Sequence, residues 1–393
     1  MNMPSPFEII YSEKTLSLKE HAPLSLPYKN YLGDYLKKVN SYKPIAHFCG
    51  SPVFSLYQPP LATPVGVRSL EGRLNRKFKG EKRPATATLA LTKTCQCDCD
   101  HCSAFFHNRS VKKELSTAQW KEAFLQTVEL GVTTLILLGG EPLLRRDLFE
   151  LIKSVPKDKA TVILFTNGEY LTPKNCASLK EAGAMGAFVS LDTSDDLTHN
   201  LFRKRKDLFR KALSGLANLK KAGLVAGISS HLSRQNLLEN QFEKMMELAK
   251  LHGAHEVTFF DAIPSGRWLK DTSYCLTPAD RLQISKLVKH YRALPNYPGI
   301  SAQSTMTSLG GSAFCFAANT QFYLTAFGEM CPCDFTPLTI GKFPEESIAP
   351  LWDKMTGSQP YCNRAKSCRM QDPEFRKKYI EPLSAKGPFP FPL

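Results

Sequence analysis

The sequence predicts an α/β protein in which a partial (β/α)6 barrel of the TIM type precedes a small, loop-rich, C-terminal metal-cluster domain. From residue 86 onward, short runs of β-branched and apolar residues alternate with segments of helical periodicity, and this alternation occurs six times. Such repeats require parallel strands joined by right-handed crossovers. A closed barrel of this type has about eight strands, so we expect this barrel to be open or incomplete. Beyond about residue 296 the helical periodicity fades and cysteines cluster.

The predicted elements are bounded by recognisable turn and cap signals. Ser116, with Gln119 three residues later, predicts a capping box at the start of the first helix, and Gly131 ends that helix. The second strand is continuously apolar in its second half, as expected when both faces are covered. The predicted strands span residues 86–91, 132–138, 160–166, 186–191, 224–231 and 257–262. The predicted helices span residues 117–130, 143–155, 176–182, 206–222, 242–252 and 277–294.

With 393 residues, the chain is too long for one simple core, and we expect several domains. Residues 1–84 form an N-terminal extension of unknown role without clean periodicity, and its basic end at 76–84 is interpreted as a linker or docking arm. The core barrel is expected at residues 85–295 and the cysteine-rich domain at 296–375. A proline-rich tail is expected at 376–393, and its last part, residues 386–393, should be extended.

The bulk composition, with 42% hydrophobic and 22% charged residues, is typical of a globular protein. No stretch approaches the roughly 18 apolar residues of a membrane span. The first residues lack the basic and apolar segments of a signal peptide, so we expect a cytoplasmic location. With 12 cysteines and no export signal, metal ligation is favoured over disulfides. The net charge of +15 is scattered, which favours a solvated basic surface over a nucleic-acid site.

The most informative motif is a cysteine loop directly after the first predicted strand. Cys95, Cys99 and Cys102, in the spacing Cys-x3-Cys-x2-Cys, supply three thiolates from one short segment. Three soft ligands suit an iron–sulfur cluster and leave one iron without a protein ligand, whereas a four-cysteine structural site is closed. The alternative is a zinc site or half of a zinc knuckle.

Glycine-rich and polar segments follow the next three strands, at the points where the strands end. They are residues 139–142 (Gly-Gly-Glu-Pro), 166–168 (Thr-Asn-Gly) and 190–192 (Ser-Leu-Asp). Because functional loops follow the C-terminal ends of parallel strands, we expect these segments to meet the cysteine loop at one site. Simple turn chemistry is the alternative for each segment taken alone.

The cysteine loop and the Gly-Gly-Glu-Pro segment, each after a strand, resemble the radical S-adenosylmethionine (SAM) superfamily over about residues 86–295. The resemblance implies a 4Fe–4S cluster on Cys95, Cys99 and Cys102 whose open iron binds SAM. An electron from a reductant such as flavodoxin or ferredoxin would cleave SAM into methionine and a 5′-deoxyadenosyl radical, which abstracts hydrogen from a substrate. Cys97 is expected to be a non-ligand, because a spacing that uses it fits the family less well.

The resemblance also implies which side chains contact SAM. Glu141 would bind the methionine amino group through a charge-assisted hydrogen bond, and the preceding glycines would let the backbone approach the ligand. Ser190 and Asp192 would bind the ribose or the methionyl carboxylate, and Arg203 lies where relatives carry a carboxylate-binding arginine. Ser230 and Asn236, near the end of the fifth strand, are weaker candidates for ribose contacts. The expected cofactor-binding residues are Gly139, Gly140, Glu141, Pro142, Thr166, Asn167, Ser190, Asp192, Arg203 and Ser230.

Two further features fit the resemblance. His101 stands where the family usually has an aromatic residue before the last cysteine, and we expect its ring to pack near the cluster. Residues 264–267 (Pro-Ser-Gly-Arg), after the sixth strand, resemble the family's last ligand-binding loop, where backbone meets adenine or substrate. For Thr166 and Asn167, two interpretations remain open: the residues form only a turn, or they contact the ligand.

A second cysteine group resembles the SPASM or twitch type of auxiliary-cluster domain. Cys315 precedes Gly328-x4-Cys333, and residues 340–352 resemble the run toward that domain's tryptophan helix. One cluster needs at most about four ligands and two need about seven or eight. Because only five cysteines are present, we expect one auxiliary 4Fe–4S cluster, with zinc as the alternative. The expected ligands are Cys315, Cys333, Cys362 and Cys368; Cys331 is spare or replaces Cys333, and Asp334 could supply an oxygen ligand.

The resemblance predicts a radical SAM enzyme that abstracts hydrogen from a peptide or protein side chain, because proteins with this auxiliary domain typically modify ribosomally made peptides. The alternative is a radical SAM enzyme that acts on a small molecule or cofactor precursor, for instance a tetrapyrrole. A non-enzymatic iron–sulfur or zinc scaffold is the third hypothesis, and residues 139–142 disfavour it. The expected partners are therefore the reductant and a peptide or small-molecule substrate.

Overall fold

A computed structural model describes residues 5–108, 110–307, 314–384, 387 and 389–393. The strands are β1 (Phe7–Ser12), β2 (Thr15–Glu20), β3 (Ala46–Phe48), β4 (Ser51–Val53), β5 (Thr86–Ala90), β6 (Thr134–Leu138), β7 (Thr161–Thr166), β8 (Gly186–Ser190), β9 (Val225–Leu232), β10 (Glu256–Asp261), β11 (Gly299–Ala302), β12 (Gln321–Leu324), β13 (Glu329–Cys331), β14 (Leu338–Thr339), β15 (Gly341–Lys342) and β16 (Phe391–Pro392).

The helices, in the same described ranges, are α1 (Leu26–Asn40), α2 (Pro64–Leu74), α3 (Phe105–Asn108), α4 (Thr117–Glu129), α5 (Leu148–Ser154), α6 (Pro173–Glu181), α7 (Asp196–Phe202), α8 (Leu208–Lys221), α9 (Arg234–Leu238), α10 (Gln241–Leu251), α11 (Pro278–Ala293), α12 (Gln303–Thr307), α13 (Ile348–Gly357) and α14 (Pro373–Tyr379). A π-helical turn, Asn75–Lys79, directly follows α2. Short 3-10 turns lie at Pro142–Leu144, Gly266–Trp268 and Arg369–Gln371. None of these helices combines the length and the apolar character that crossing a bilayer requires.

The parallel strands form one open sheet. Its ten strands follow the order β11-β10-β9-β8-β7-β6-β5-β12-β13-β15. All neighbours from β11 to β12 pair in parallel, and β13 and β15 extend the sheet by antiparallel pairing. Across the described ranges β11 and β12 do not pair with each other, so the barrel does not close. The predicted α/β fold with an incomplete TIM-type barrel is thereby confirmed.

The six predicted strands correspond to β5–β10, and their ends differ from the expected ones by at most two residues. One predicted helix, at residues 143–155, begins later, because the chain first turns around Arg145. The Arg145 guanidinium donates to Leu91 O (2.6 Å) and Leu115 O (3.2 Å). The parallel strands β11 and β12 are not predicted, since each has only four residues, too few to show a period.

The sheet continues through the predicted boundary at residue 295. β11 pairs with β10 and β12 pairs with β5, so the second cysteine group is built onto the edge of the core sheet. Helix α13 docks on the same edge, where Trp352 Nε1 donates to Lys82 O at 2.7 Å. In the predicted tail, residues 385, 386 and 388 lie outside the described residues, and β16 pairs with β14. The division into domains stays a prediction.

Residues before β5 fold into two hairpins and two helices, although their sequence shows no clean periodicity. β1 pairs antiparallel with β2, and β3 pairs antiparallel with β4. The first hairpin, α1 and α2 share a small apolar core that includes Leu32 and Leu70. The extension is therefore folded along the stretch from β1 to α2.

The segment after β4 forms the floor of the barrel. Leu56 is fully buried and packs against Phe188 and other inward-facing side chains. Gly227 makes room for it, because an added Cβ would lie 2.9 Å from Leu56 Cδ1. The buried Glu256 carboxylate, at the start of β10, accepts hydrogen bonds from Leu56 N (2.7 Å) and Ser55 Oγ (2.8 Å). The N-terminal extension thus closes the amino-terminal end of the barrel.

Candidate active site

The carboxyl ends of the parallel strands enclose a cavity of about 300 Å³. The cysteine loop after β5 forms one side, and the ends of β6 to β10 with their loops form the others. This convergence follows from the topology, because the carboxyl ends of parallel strands meet at one edge. The predicted site residues that line the cavity are Cys95, Cys99, Cys102, Gly139, Gly140, Thr166, Asn167, Ser190, Asp192, Arg203 and Ser230.

Four thiols border this cavity, and all four are free of disulfides. A hydrogen bond with the Cys97 thiol, the largest influence, lowers the pKa of Cys95 to about 6. A hydrogen bond with Cys97 likewise lowers the pKa of Cys99, whereas burial raises the pKa of Cys102 to about 12. The Cys97 thiol thus stabilises the thiolate forms of Cys95 and Cys99, and thiolates are the form in which cysteines bind iron–sulfur clusters. The exclusion of Cys97 from the ligand set stays a prediction.

Gly139 and Gly140 bring the loop after β6 against the cysteine loop. Gly140 N donates to Thr92 O, and Glu141 N donates to Thr94 O, both at 2.7 Å. A Cβ on Gly139 would lie 2.4 Å from Thr92 O, and one on Gly140 would lie 2.2 Å from Thr94 O. No side chain fits at these distances. The close approach that requires the glycines is therefore the one between the two loops.

Glu141 is buried and lies outside the lining of the cavity. Its carboxylate accepts hydrogen bonds from Thr166 Oγ1 (2.7 Å), Asn167 N (2.8 Å) and Leu143 N (3.2 Å). Burial, the largest influence, raises the pKa of Glu141 to about 7 against these hydrogen bonds. The side chain ties the loop after β6 to the loop after β7, and its contact with the methionine amino group stays a prediction. Pro142 begins a 3-10 turn instead of the next long helix.

Asn167 offers a buried amide donor at the cavity. Its Oδ1 accepts hydrogen bonds from Gln96 Nε2 (3.2 Å) and Glu169 N (3.0 Å). In the described part of the chain its Nδ2 makes no well-formed hydrogen bond, although the amide lies near enough to Cys95 to lower the pKa of that thiol. A buried donor without an acceptor costs free energy. The Nδ2 group is therefore suited to an acceptor supplied by a ligand in the cavity.

Asp192 and Arg203, both predicted as SAM ligands, bind each other. Arg203 Nε donates to Asp192 Oδ2 at 2.6 Å, and Nη2 donates to Oδ1 at 2.9 Å. Burial alone would raise the pKa of Asp192, but the charge of Arg203 holds that pKa well below its usual range. Each residue thus satisfies the charge of the other at the cavity wall. Direct contacts of either residue with SAM stay predictions.

Three histidines surround Asp192, and sequence reasoning assigned a place to only one of them. His101 Nε2 and His231 Nδ1 each lie 3.5 Å from Asp192 Oδ1. His199 Nδ1 lies 3.8 Å from Asp192 Oδ2. Burial lowers the pKa of His101 to about 3 and that of His199 to about 4, so both rings are neutral. The oxygen and nitrogen atoms of His101, Asp192 and His231 are close enough for a cation, but Arg203 already neutralises the carboxylate.

His101 lies in an aromatic stack beside the cysteine loop. Its ring is parallel to those of Phe202 and His231, each with a centroid 4.7 Å away, and Trp268 lies 6.0 Å away. The four rings come from four separate segments, so no local pattern signals the stack. His231 lies near the carboxyl end of β9, where functional residues of such barrels are found. This position is the one signal in the sequence that could have identified His231 as a site residue.

The loop at residues 264–267 packs on the cysteine loop. Gly266 has φ of +51°, and a Cβ there would lie 2.0 Å from Cys102 O. Arg267 N donates to the same carbonyl oxygen at 3.3 Å, and Ser265 lines the cavity. The loop after the sixth predicted strand therefore completes the rim of the site.

The two ribose candidates near the end of β9 differ in placement. Ser230 is buried at the cavity, and its Oγ donates to Asp192 O at 3.4 Å. Asn236 lies outside the cavity lining and forms a capping box with Ser233 at the start of α9. Asn236 Oδ1 accepts from Ser233 N at 3.1 Å, and a ribose contact of Asn236 stays a prediction.

A second cavity, of about 670 Å³, contains three thiols of the second cysteine group. Cys315, Cys333 and Cys368 line it, and all three are buried. Cys362 borders a neighbouring cavity of about 290 Å³, which Cys315 also lines. Cys331 lies in a separate apolar cluster on β13. The placement of Cys333 rather than Cys331 beside Cys315 agrees with the preferred ligand set, which stays a prediction.

The two cavities share one wall inside the barrel. The residues common to both linings are Tyr57, Ile136, Phe260, Gln321, Asp334 and Phe335. Burial raises the pKa of Asp334 to about 6, and Gln321 Nε2 donates to Asp334 Oδ1 at 3.5 Å. The barrel interior thus runs from the cysteine loop toward the second cysteine group near the amino-terminal ends of β5 and β6. We call the second space the interior cavity.

The fold and the site define an open α/β barrel protein with thiols and buried polar groups at the position of active sites in such folds. A family model described as the radical SAM superfamily matches residues 89–264. The chain is 30% identical to the AdoMet-dependent heme synthase of Methanosarcina barkeri over 298 residues. These aligned residues are 69% of this chain and 82% of that relative. The chain therefore belongs to the radical SAM superfamily and is an enzyme. Membership implies a 4Fe–4S cluster and SAM (AdoMet) as cofactors.

Two further similarities bear on the substrate and the fold. The Fe-coproporphyrin III synthase of Methanosarcina barkeri is 27% identical over 212 residues, which are 54% of this chain and 52% of that relative. Streptococcus suis SuiB bound to precursor peptide SuiA aligns with a TM-score of 0.59 at 14% identity, over 91% of this chain and 88% of that chain. At this identity the structural likeness shows the fold alone. It extends over the cysteine-rich C-terminal region, which fits the predicted SPASM or twitch resemblance.

Proposed function

We propose that this radical SAM enzyme acts on a tetrapyrrole, the small-molecule alternative from the sequence, and not on a peptide. The observation that carries the proposal is the 30% identity over 82% of a relative named for heme synthesis. A second relative is likewise named for an iron porphyrin. The peptide alternative is supported by a shared fold at only 14% identity. The comparisons therefore favour the tetrapyrrole.

The interior cavity is large enough for a macrocycle and is rich in aromatic side chains. Its volume of about 670 Å³ lies within the range of about 300–1,000 Å³ typical of ligand sites. The aromatic residues in its lining are Tyr31, Tyr57, Phe260, Phe314, Phe316 and Phe335. Because this cavity shares a wall with the cysteine-loop cavity, a macrocycle bound in it lies beside the place where SAM is expected.

A 4Fe–4S cluster on Cys95, Cys99 and Cys102 would supply the electron that cleaves SAM, and the resulting 5′-deoxyadenosyl radical would take hydrogen from the substrate. The chain's own residues shape and shield this site. Glu141 holds the loops after β6 and β7 together. The stacked rings of His101 and His231, with Trp268 beside them, form an aromatic part of the cavity wall.

A second 4Fe–4S cluster on Cys315, Cys333, Cys362 and Cys368, and an external reductant of the flavodoxin or ferredoxin type, belong to the same proposal. Three of the four thiols share the interior cavity, which supports a common metal site. Soft thiolate ligands of this number suit iron–sulfur clusters or zinc. Iron analysis separates the possibilities, because two clusters require about eight irons per chain and one requires about four.

The test of the function is anaerobic reconstitution with iron and sulfide, followed by dithionite, SAM and Fe-coproporphyrin III. We expect 5′-deoxyadenosine and a change in the mass of the tetrapyrrole. Both should disappear in Cys99→Ala and persist in Cys49→Ala, which alters an exposed cysteine outside both cavities. Turnover of SAM without any change in the tetrapyrrole, together with modification of a peptide, would overturn the proposal.

A further inference from the structure

Four cationic side chains at the interior cavity are not among the expected cofactor ligands. Arg73 belongs to the end of α2, Arg76 and Lys77 belong to the π-helical turn, and Arg364 comes from the second cysteine region. All four line the cavity, and we call them the basic rim. The first three stand at positions i, i+3 and i+4, which lie on one side of a helix. The start of the segment interpreted as a linker or docking arm is therefore part of a cavity wall.

None of the four members of the basic rim forms an ion pair in the described ranges, although the charge of Glu81 partly offsets that of the rim at Arg76 and Asp334 lines the same cavity. Two of its three arginines lie over aromatic rings. Arg73 Cζ lies 5.2 Å from the centroid of Tyr35, and Arg364 Cζ lies 5.7 Å from that of Phe314. A cation–π contact does not require the N–H donors of a guanidinium, so these donors can still bind a ligand.

Arg76 is held close to two other guanidinium groups. Burial, and then the charges of Arg73 and Arg364, lower the pKa of Arg76 to about 10. Like charges gathered at a partly buried site repel each other, and an anionic ligand relieves that repulsion. The π-helical turn that carries Arg76 is an uncommon geometry that occurs frequently at functional sites. These observations point to an anion as the natural occupant of the rim.

We propose that the basic rim binds carboxylate groups of the tetrapyrrole while the ring lies against the aromatic walls of the interior cavity. The inference rests on the proposed function and assigns the residues that recognise the substrate. Arginine suits this task because its planar fork matches a carboxylate with two hydrogen bonds. A macrocycle held in this way has one edge at the rim and the opposite edge at the wall shared with the cysteine-loop cavity.

The test is equilibrium binding to the reconstituted holoenzyme without dithionite. The probes are Fe-coproporphyrin III and its tetramethyl ester, in the same detergent-containing buffer. The variant is Arg76→Gln combined with Arg364→Gln, and the control is Arg210→Gln, an exposed arginine that pairs with Asp196 on α7. Each charged hydrogen-bonding group is worth about tenfold or more in affinity, so the double variant should bind the free acid about a hundredfold more weakly.

The control should bind the free acid as the wild type does, and all three proteins should bind the ester equally. Arg76→Lys with Arg364→Lys, which keeps both charges, should give an intermediate affinity and serves if the Gln variant does not fold. Equal binding of the free acid by all variants would overturn the inference and leave the proposed function intact. Wild type that binds neither probe would overturn both. A fall from about eight to about four irons in the double variant would assign the rim to the second metal site and overturn the inference.

Discussion

Replacing Asp192 with asparagine should lower the free energy of unfolding by about 3–5 kcal/mol. The carboxylate is 2% exposed and receives hydrogen bonds of 2.6 and 2.9 Å from Arg203, which is 8% exposed. The substitution leaves a buried guanidinium without its counter-charge, and this uncompensated charge is the origin of the cost. Asparagine keeps the shape and one acceptor oxygen, so the lower end of the range is expected.

The measurement is urea unfolding under anaerobic conditions, with Asp195→Asn as the matched control. Asp195 caps α7 at an exposed position, and asparagine caps helices equally well, so the control should change little. The pH dependence supplies a second check. Because the folded pKa of Asp192 lies below its usual range, its stabilisation is present above about pH 4. It is lost as the pH falls through the folded pKa, so wild type and variant should converge only in acid.

Equal unfolding free energies for wild type and Asp192→Asn at pH 7 would refute this reasoning. Loss of SAM binding with unchanged stability would instead favour the prediction from the sequence that Asp192 binds SAM. A double-mutant cycle with Arg203→Met tests whether the two side chains stabilise the protein as a pair. If the two side chains act as a pair, the double variant should be less destabilised than the sum of the single variants.

Two further predictions concern the contact between loops and the floor of the barrel. Gly140→Ala places a Cβ 2.2 Å from Thr94 O and should displace the cysteine loop, so reconstituted protein should lose about four irons per chain. The control is Gly33→Ala, where an added Cβ meets nothing within 4 Å, and this variant should keep its iron. An iron content equal to that of the wild type in both variants would contradict the predicted displacement of the cysteine loop. Leu56→Ala removes a fully buried side chain and should cost about 2–5 kcal/mol in denaturant unfolding. Leu238→Ala, at a side chain 71% exposed, should change little, and equal midpoints would show that the floor is not stabilising.

The order of strands and the convergence of their loops could be predicted because both depend on local signals. Periodicity, caps and turn residues identify β5–β10, and topology then brings the following loops together. The contacts made by the site residues depend on distant partners. Asp192 and Arg203 are separated by α7, and Glu141 meets Thr166 only after β6 and β7 pair. Patterns in a single segment therefore place these side chains at the site without revealing which atoms they bind.

The same limit applies to the basic rim. The basic character of the segment that follows α2 is visible in the sequence, and so is the aromatic content of the region near Phe314. That the two face one cavity depends on the docking of the N-terminal extension near the place where β12 pairs with β5. A basic segment in a sequence predicts a charged surface. Only the tertiary structure shows that this surface lines a cavity.

The floor of the barrel also constrains the order of events during biosynthesis. Leu56 N is bound by Glu256, a residue that follows it by 200 positions. At about 5–20 residues per second, a ribosome needs about 10–40 s to complete the partner of a segment that has already emerged. Until then Leu56 has no barrel to enter, and its apolar surface is open to wrong associations or to chaperones. Docking of the N-terminal extension is thus a late folding step, and a nascent chain arrested before β10 should be prone to aggregation.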